Sequence, residues 1–125
     1  RPIRVSTRDR LPGARIIASK PSYDARHWPG GVPEVARHYR PSLAYRLSLV
    51  AEGRYDAMLT FRDSWEWDIA AGELILREAG ASTSDRQGAP LRFNNPHPQV
   101  DGVVAAGPAL HDEILGALGK RNPVA

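Results

Sequence analysis

Residues 64–80 read SWEWDIAAGELILREAG, and this segment constrains the fold more than any other in the chain. Its apolar residues recur at the spacing of one helix face and it ends in Gly80, which predicts an amphipathic helix over about 68–79. A run of small residues, AAG at 70–72, lies near the start of that helix. Because glycine inside a helix costs about 1 kcal/mol relative to alanine, we expect another element to pack very closely against this turn.

Asp68 lies at the predicted start of this helix and allows two interpretations. A carboxylate there can cap the helix by accepting hydrogen bonds from free backbone N–H groups at the positive end of the helix dipole. It can also serve as a metal ligand, and the neighbouring Trp67 is expected to bury its ring and fix the direction of the carboxylate. The local pattern leaves both interpretations open.

The remaining chain alternates short strands and helices. We predict a strand pair around a turn at 81–93, and other elements as follows: strands at 15–19, 55–61 and 101–107, a loop at 21–33, and helices at 41–53 and 109–118. Ser42 and Gly53 are the expected N-cap and stop of the 41–53 helix. This order predicts a single α/β domain with a mixed, largely parallel sheet flanked by helices.

Composition limits the classes of protein and partner. The chain has 125 residues, of which 42% are hydrophobic, so it can form one domain with a hydrophobic core. It contains neither an apolar run of about 18 residues nor a signal segment, and we expect no membrane partner. Its 17 basic residues are interspersed with 14 acidic ones rather than gathered in a stripe, which argues against a nucleic-acid partner. The absence of cysteine excludes disulfides and thiolate metal sites and fits a reducing compartment, so we expect a cytoplasmic protein.

Two segments resemble the inositol monophosphatase family. WEWDIAAGELILREAGA resembles the family's second signature, W-D-x-A-A/G-A/G…E-A-G-G, with these residues in register: Trp67, Asp68, Ala70, Gly72, Glu78, Ala79 and Gly80. Ala81 replaces the last glycine of that signature. Upstream, 42–59 resembles the family's helix-then-strand segment with its V-A-x-G-x-x-D-A core. The resemblance extends over about 15–118.

This resemblance implies one lobe of an enzyme. Family members are Mg²⁺-dependent phosphomonoesterases of two lobes, and the first lobe carries a Glu-Glu pair and a D-P-x-D-G-T motif. Neither string occurs here, so residues 1–125 are expected to be the C-terminal lobe without its N-terminal partner. The full-length protein is expected to hydrolyse an inositol monophosphate or a 3'(2'),5'-bisphosphate nucleoside with Mg²⁺ as cofactor, and this lobe alone is expected to be inactive. The alternative is a non-catalytic pseudo-enzyme or interaction module with the same fold.

The resemblance also assigns site residues. Asp68 is the one catalytic, metal-coordinating carboxylate that this lobe would contribute. Substrate contacts are expected from Ser42 and Leu43 at the start of a helix, and from Arg46, where bisphosphate nucleotidases place a basic residue. A further contact is expected from Phe61, with Thr60 or Arg62 as alternatives because the spacing to the motif contains one inserted residue.

The last expectations concern the partners of the protein and the positions of its histidines. The expected partners are the small phosphorylated substrate, the missing N-terminal lobe and, because several family members are dimers, a second copy of the protein. The histidines lack the spacing of metal ligands and are expected at loop and surface positions: His27, His38, His97 and His111.

Overall fold

The computed structural model describes residues 3–40, 42–91, 93 and 99–120. The elements follow in the order β1 (Arg15–Ile17), β2 (Ala36–His38), α1 (Leu43–Ala51), β3 (Ala57–Trp65), α2 (Glu66–Glu78), β4 (Ser82–Ser84), β5 (Gln99–Ala106) and α3 (Pro108–Ala117). Two short 3-10 turns, Lys20–Tyr23 and Ala25–His27, connect β1 to β2. Within these ranges no helix combines the length and apolarity that a membrane crossing requires.

The strands of the described chain form one sheet in the order β2-β1-β3-β5-β4. β1 pairs in parallel with β2 and β3, whereas β5 pairs antiparallel with β3 and β4. The mixed α/β class with flanking helices is thereby confirmed. The parallel share of the sheet is smaller than predicted, because the two longest strands, β3 and β5, run antiparallel to each other.

Helices cover both faces of this sheet. α1 and α2 pack on one face, over Ile17 and Met58. α3 and the 3-10 segment pack on the other face, over Ile16 and Leu59. Consecutive residues of β1 and β3 belong to opposite cores because side chains alternate across a strand.

Gly72 is the point of closest approach between α1 and α2. A Cβ atom built at Gly72 would lie 2.6 Å from Cδ1 of Leu47, which is shorter than any real contact of that kind. Leu47 belongs to α1 and is buried. The close packing that the small-residue run predicted is confirmed, and the direct helix contact offsets the cost of glycine inside α2.

The ends of α1 are as predicted, whereas the start of α2 is not. Ser42 caps α1 by accepting a hydrogen bond from the backbone N of Tyr45 at 3.3 Å, and Gly53 follows the helix with φ +76°. β3 runs to Trp65, where it still pairs with β5, and α2 begins at the next residue. Asp68 is therefore the third residue of α2, and its interpretation as the N-cap is wrong.

Two further segments differ from expectation. The strand β2 was not predicted, because it has only three residues, reads ARH and is largely exposed. In 81–93 the turn is present, since the Asp85 carboxylate accepts hydrogen bonds from the backbone N of Gln87 and of Ala89, each at 2.9 Å. Only the first half of that segment is a strand, and β4 pairs with β5 rather than across the turn.

Candidate functional site

The carboxyl ends of β1 and β3 form the edge where the first turns of two helices meet. β1 leads to β2 on one side, and β3 leads through α2 to β4 on the other. Adjacent parallel strands whose connections leave in opposite directions create a crevice at their carboxyl ends, and ligands of open α/β sheets bind there. α1 follows β2 and α2 follows β3, so both helices begin at this edge.

α1 contributes Ser42 and Arg46 to this edge. The hydroxyl of Ser42 is engaged in capping the helix. The guanidinium of Arg46 donates from Nε to the carbonyl oxygen of Arg40 and lies over the ring of Tyr39, 5.0 Å from its centroid. Arg46 is partly buried, so its charge is held against the start of α1 rather than in free solvent. Leu43 is the first residue of α1, and its side chain lies outside what the structure describes.

A bulge interrupts β3 where an inserted residue was inferred. Thr60 pairs with Val103 and Asp63 pairs with Asp101, so two residues of β3 stand opposite Gly102 alone. Gly102 has φ +73°, and a Cβ atom there would lie 2.5 Å from the carbonyl oxygen of Thr60. A bulge adds one residue to a strand, in agreement with the insertion inferred from the motif spacing.

The bulge and the strand alternation separate the candidate substrate residues of β3. The ring of Phe61 lies on the α3 face, 4.7 Å from the ring of His27 and 6.4 Å from that of Trp28. Arg46 lies on α1, across the sheet, so the structure does not bring these two side chains together. Thr60 is buried and falls on the α1–α2 face by alternation, with its partner Val103 in that core.

The first turn of α2 exposes its aromatic residues. The rings of Trp65 and Trp67 are stacked with centroids 4.7 Å apart. Trp67 is 65% exposed, so the prediction that it buries its ring is wrong. Because α2 begins at Glu66, the inward positions of the first turn belong to Glu66 and Ile69, both buried. The backbone of Asp68 lies in this turn, and its side chain lies outside the described part of the chain.

The described side chains do not build a complete metal site. Within the ranges that the structure describes, no three His, Asp or Glu residues are grouped so as to hold an ion. Glu73, one turn and a half along α2 from the motif, instead accepts a hydrogen bond from Oγ1 of Thr83 at 3.2 Å and pairs with Arg77 at 3.6 Å. A single carboxylate at Asp68 would need oxygen ligands from other segments to hold a magnesium ion.

Asp56, the aspartate of the upstream motif, has a structural role. It accepts hydrogen bonds from the backbone N of Arg15 at 2.7 Å and from Oγ of Ser6 at 2.6 Å, and the guanidinium of Arg8 lies 3.2 Å away. Burial by itself would raise the pKa of Asp56, but the hydrogen bonds from Arg15 and Ser6 outweigh it, and the pKa lies below the usual range. This carboxylate joins the N-terminal segment to β1.

The described histidines are only partly as predicted. His38 packs edge-on against Tyr55, with ring centroids 4.9 Å apart. His111 lies in α3 and is half-buried, with its Nε2 2.8 Å from Oγ of the buried Ser84, and burial lowers its pKa. The helical spacing of Leu110, Ile114 and Leu118 puts His111 beside the inward face of α3, a signal that sequence reasoning missed. His97 lies outside the described residues.

Comparison with known proteins identifies the family. The model of the inositol monophosphatase family matches residues 2–122. This chain belongs to that family. An inositol-1-monophosphatase of Bacillus subtilis is 38% identical over 74 residues, which are 59% of this chain and 26% of that protein. A 3'(2'),5'-bisphosphate nucleotidase of Emericella nidulans is 45% identical over 56 residues, which are 43% of this chain and 16% of that protein.

Solved structures of inositol monophosphatases share the fold. Staphylococcal IMPase-II matches with a TM-score of 0.74 at 22% identity, over 94% of this chain and 48% of that one. The inositol monophosphatase of Anabaena matches with a TM-score of 0.72 at 26% identity, over 99% of this chain and 50% of that one. The chain therefore spans about half the length of these structures and less of the curated relatives.

Proposed function

We propose that this chain is the C-terminal lobe of a Mg²⁺-dependent phosphomonoesterase that acts on a small phosphorylated polyol or nucleotide. One observation carries the proposal: the W-D motif of the family stands in register in the first turn of α2, beside the carboxyl ends of β1 and β3. The names of the relatives, an inositol-1-monophosphatase and a bisphosphate nucleotidase, support phosphate ester hydrolysis as the reaction class. The proposal includes both substrate types, an inositol monophosphate and a bisphosphate nucleotide.

The residues at the sheet edge have distinct proposed roles. Asp68 supplies one oxygen ligand, and carboxylate oxygens are the protein ligands that Mg²⁺ prefers. The first backbone N–H groups of a helix have no intrahelical partner, and those of Ser42 and Leu43 would suit oxygen atoms of the substrate at the positive end of the α1 dipole. Arg46 adds a positive charge beside them. When bound, the metal neutralises phosphoryl charge and activates water.

A second part of the complete protein is proposed to supply the other metal ligands. The chain spans about half of the solved family structures, which supports this division. α2 also presents an apolar stripe to solvent, formed by Trp67, Leu74 and Ile75 at 65%, 57% and 40% exposure. Contiguous exposed apolar surface marks contact sites, and we propose that the N-terminal lobe covers this stripe. The complete enzyme is proposed to be cytoplasmic and to form a homodimer.

The test is a single substitution in the complete protein. We expect Asp68→Asn to lower Mg²⁺-dependent hydrolysis by more than about 100-fold, because even residues that only support a metal ligand are worth about 10- to 100-fold. Asp9→Asn removes a carboxylate from the exposed N-terminal segment and is expected to retain full activity. Turnover is measured with inositol monophosphate and with adenosine 3',5'-bisphosphate, and folding by circular dichroism.

Two results would decide against the proposal. Unchanged turnover of a folded Asp68→Asn protein would remove the motif carboxylate from the reaction. A complete wild-type protein that folds but hydrolyses neither substrate with Mg²⁺ would favour the non-catalytic alternative.

A further inference from the structure

A basic cavity lies on the α3 face of the sheet. It has a volume of about 290 Å³ and opens between the 3-10 segment, the turn after β4 and the end of α3. Its charged or titratable lining residues are Arg26, His27, Arg86 and Lys120, and the ring of Phe61 forms one wall. The residues that line it in the described chain include no aspartate or glutamate. The volume is near the lower end of pockets that hold small molecules, roughly 300 Å³.

Arg86 is held in place at this cavity by contacts that use only part of its guanidinium. Its Nε lies 3.1 Å from the carboxylate of Asp101, and its Nη1 donates to the carbonyl oxygen of Phe61 at 3.1 Å. A Cβ atom at Gly102 would lie 3.0 Å from Cβ of Arg86, so the glycine of the bulge lets this arginine pack close to β5. Within the described residues, Nη2 of Arg86 forms no hydrogen bond or ion pair, and its donors remain for a ligand.

The other basic groups give the cavity an excess of positive charge. Arg26 is 74% exposed and lies 3.8 Å from the carboxylate of Asp24, which also accepts the backbone N–H of Arg26 at 3.0 Å. Lys120 is exposed and forms no ion pair with the described part of the chain. Burial lowers the pKa of His27, and Arg26 and Arg86 lower it further against the opposing effect of Asp24. At the margin of the cavity, the carboxylates of Asp24 and Asp101 are therefore outnumbered by three permanent cations: Arg26, Arg86 and Lys120.

We propose that this cavity binds the phosphate group of a small molecule. A guanidinium fork matches two oxygens of a phosphate, and hydrogen bonds between charged partners are the strong ones. Arg26 and Lys120 would complete the positive surround, while the rings of Phe61 and His27 offer an apolar wall to the rest of the molecule. The inference does not rest on the proposed function, because none of the basic lining residues belongs to the first turns of α1 or α2.

His27 provides a local measurement of binding. The experiment follows the side-chain NMR signals of His27 in the complete Asp68→Asn protein during titration with inorganic phosphate, at an ionic strength held constant with chloride. Asp68→Asn removes the proposed metal ligand, and no metal is added, so that a metal-bound phosphate at the motif site is not the cause. A bound dianion is expected to raise the pKa of His27 and to give saturable shifts in its signals.

A pair of charge-matched double variants tests the location. Arg26→Gln with Lys120→Gln is expected to weaken phosphate binding about tenfold, the value of one hydrogen bond to a charged group. Arg54→Gln with Arg77→Gln removes the same charge from exposed positions outside the cavity and is expected to bind phosphate as the parent does.

The inference is overturned if the His27 signals do not respond to phosphate, or respond equally to chloride. It is also overturned if both double variants weaken binding alike, since the effect is then one of net charge. Loss of hydrolysis in the complete protein leaves this measurement unaffected, so a failure of the proposed function and a failure of this inference remain distinguishable.

Discussion

At the residue scale, a partly buried hydrogen bond connects β4 to α3. Oγ of Ser84 lies 2.9 Å from the carbonyl oxygen of Asp85 and 2.8 Å from Nε2 of His111. A hydroxyl has one proton, so when it donates to the carbonyl it accepts from the Nε2–H of the imidazole. Burial lowers the pKa of His111, although Asp112 opposes the shift, and the folded state therefore favours the neutral ring.

We predict that this histidine makes the stability depend on pH. Its pKa is lower in the folded state than in the unfolded state, so its contribution is fully present above about pH 6.5 and decreases as the pH falls below that value. His111→Gln keeps a donor for Ser84 and removes the titration. Urea unfolding at pH 7.5 and 5.5 should show a smaller loss of stability in His111→Gln than in the parent. His38→Gln is the control and should keep the loss seen in the parent, and an equal loss in all three proteins would contradict the prediction.

At the element scale, the contact between α1 and α2 fixes both helix starts at the edge of the sheet. α2 follows β3 without a loop, and the Gly72–Leu47 contact sets how closely it lies against α1. Ser42 at one start and the W-D motif at the other depend on this spacing. A change at the contact therefore acts on the candidate site through the helix positions.

We predict that Gly72→Leu destabilises the domain by about 1–3 kcal/mol or more, because an added side chain would overlap Leu47 and overpacking costs that amount. Ala71→Leu inserts the same side chain one residue earlier on the exposed side of α2 and should change stability by about 0.5 kcal/mol or less. Urea unfolding of the two variants gives the comparison. Equal stability of Gly72→Leu and the parent would refute the close-contact explanation for this glycine.

At the scale of the whole molecule, the chain carries one carboxylate of the motif and a bare apolar stripe on α2. Mg²⁺ gives up its water reluctantly, and one carboxylate is a weak ligand set. A surface of this kind also favours association with another protein surface. Both properties agree with a domain whose activity depends on a second part.

We predict that the 125-residue chain alone shows no measurable Mg²⁺-dependent hydrolysis of inositol phosphate or adenosine bisphosphate. Isothermal titration should detect only weak Mg²⁺ binding, and addition of the separately expressed N-terminal lobe should restore part of the activity. Robust hydrolysis by this chain alone would refute the two-lobe proposal. It would mean that its own acidic residues, Asp63 and Glu66 first among them, build a site.

The sequence by itself determined the features that depend on neighbouring residues. The cap at Ser42, the stop at Gly53 and the turn at Asp85 were predictable, because side-chain hydrogen bonds and positive φ angles act over a few residues. The small-residue run of α2 predicted a close contact, since no local reason favours Gly72 there. The motif fixed the family, and with it Asp68 as the candidate ligand.

Only the tertiary structure decided which side chains meet. β2 is too short and polar to be recognised without β1 beside it. The pairing of β3 with β5 extends β3 to Trp65, so α2 begins at Glu66 and Trp67 is exposed. Strand alternation puts Phe61 on the same face as Leu59, but only the folded chain brings His27 and the basic cavity beside it. These outcomes depend on contacts between residues far apart in the chain, and local periodicity carries no information about such partners.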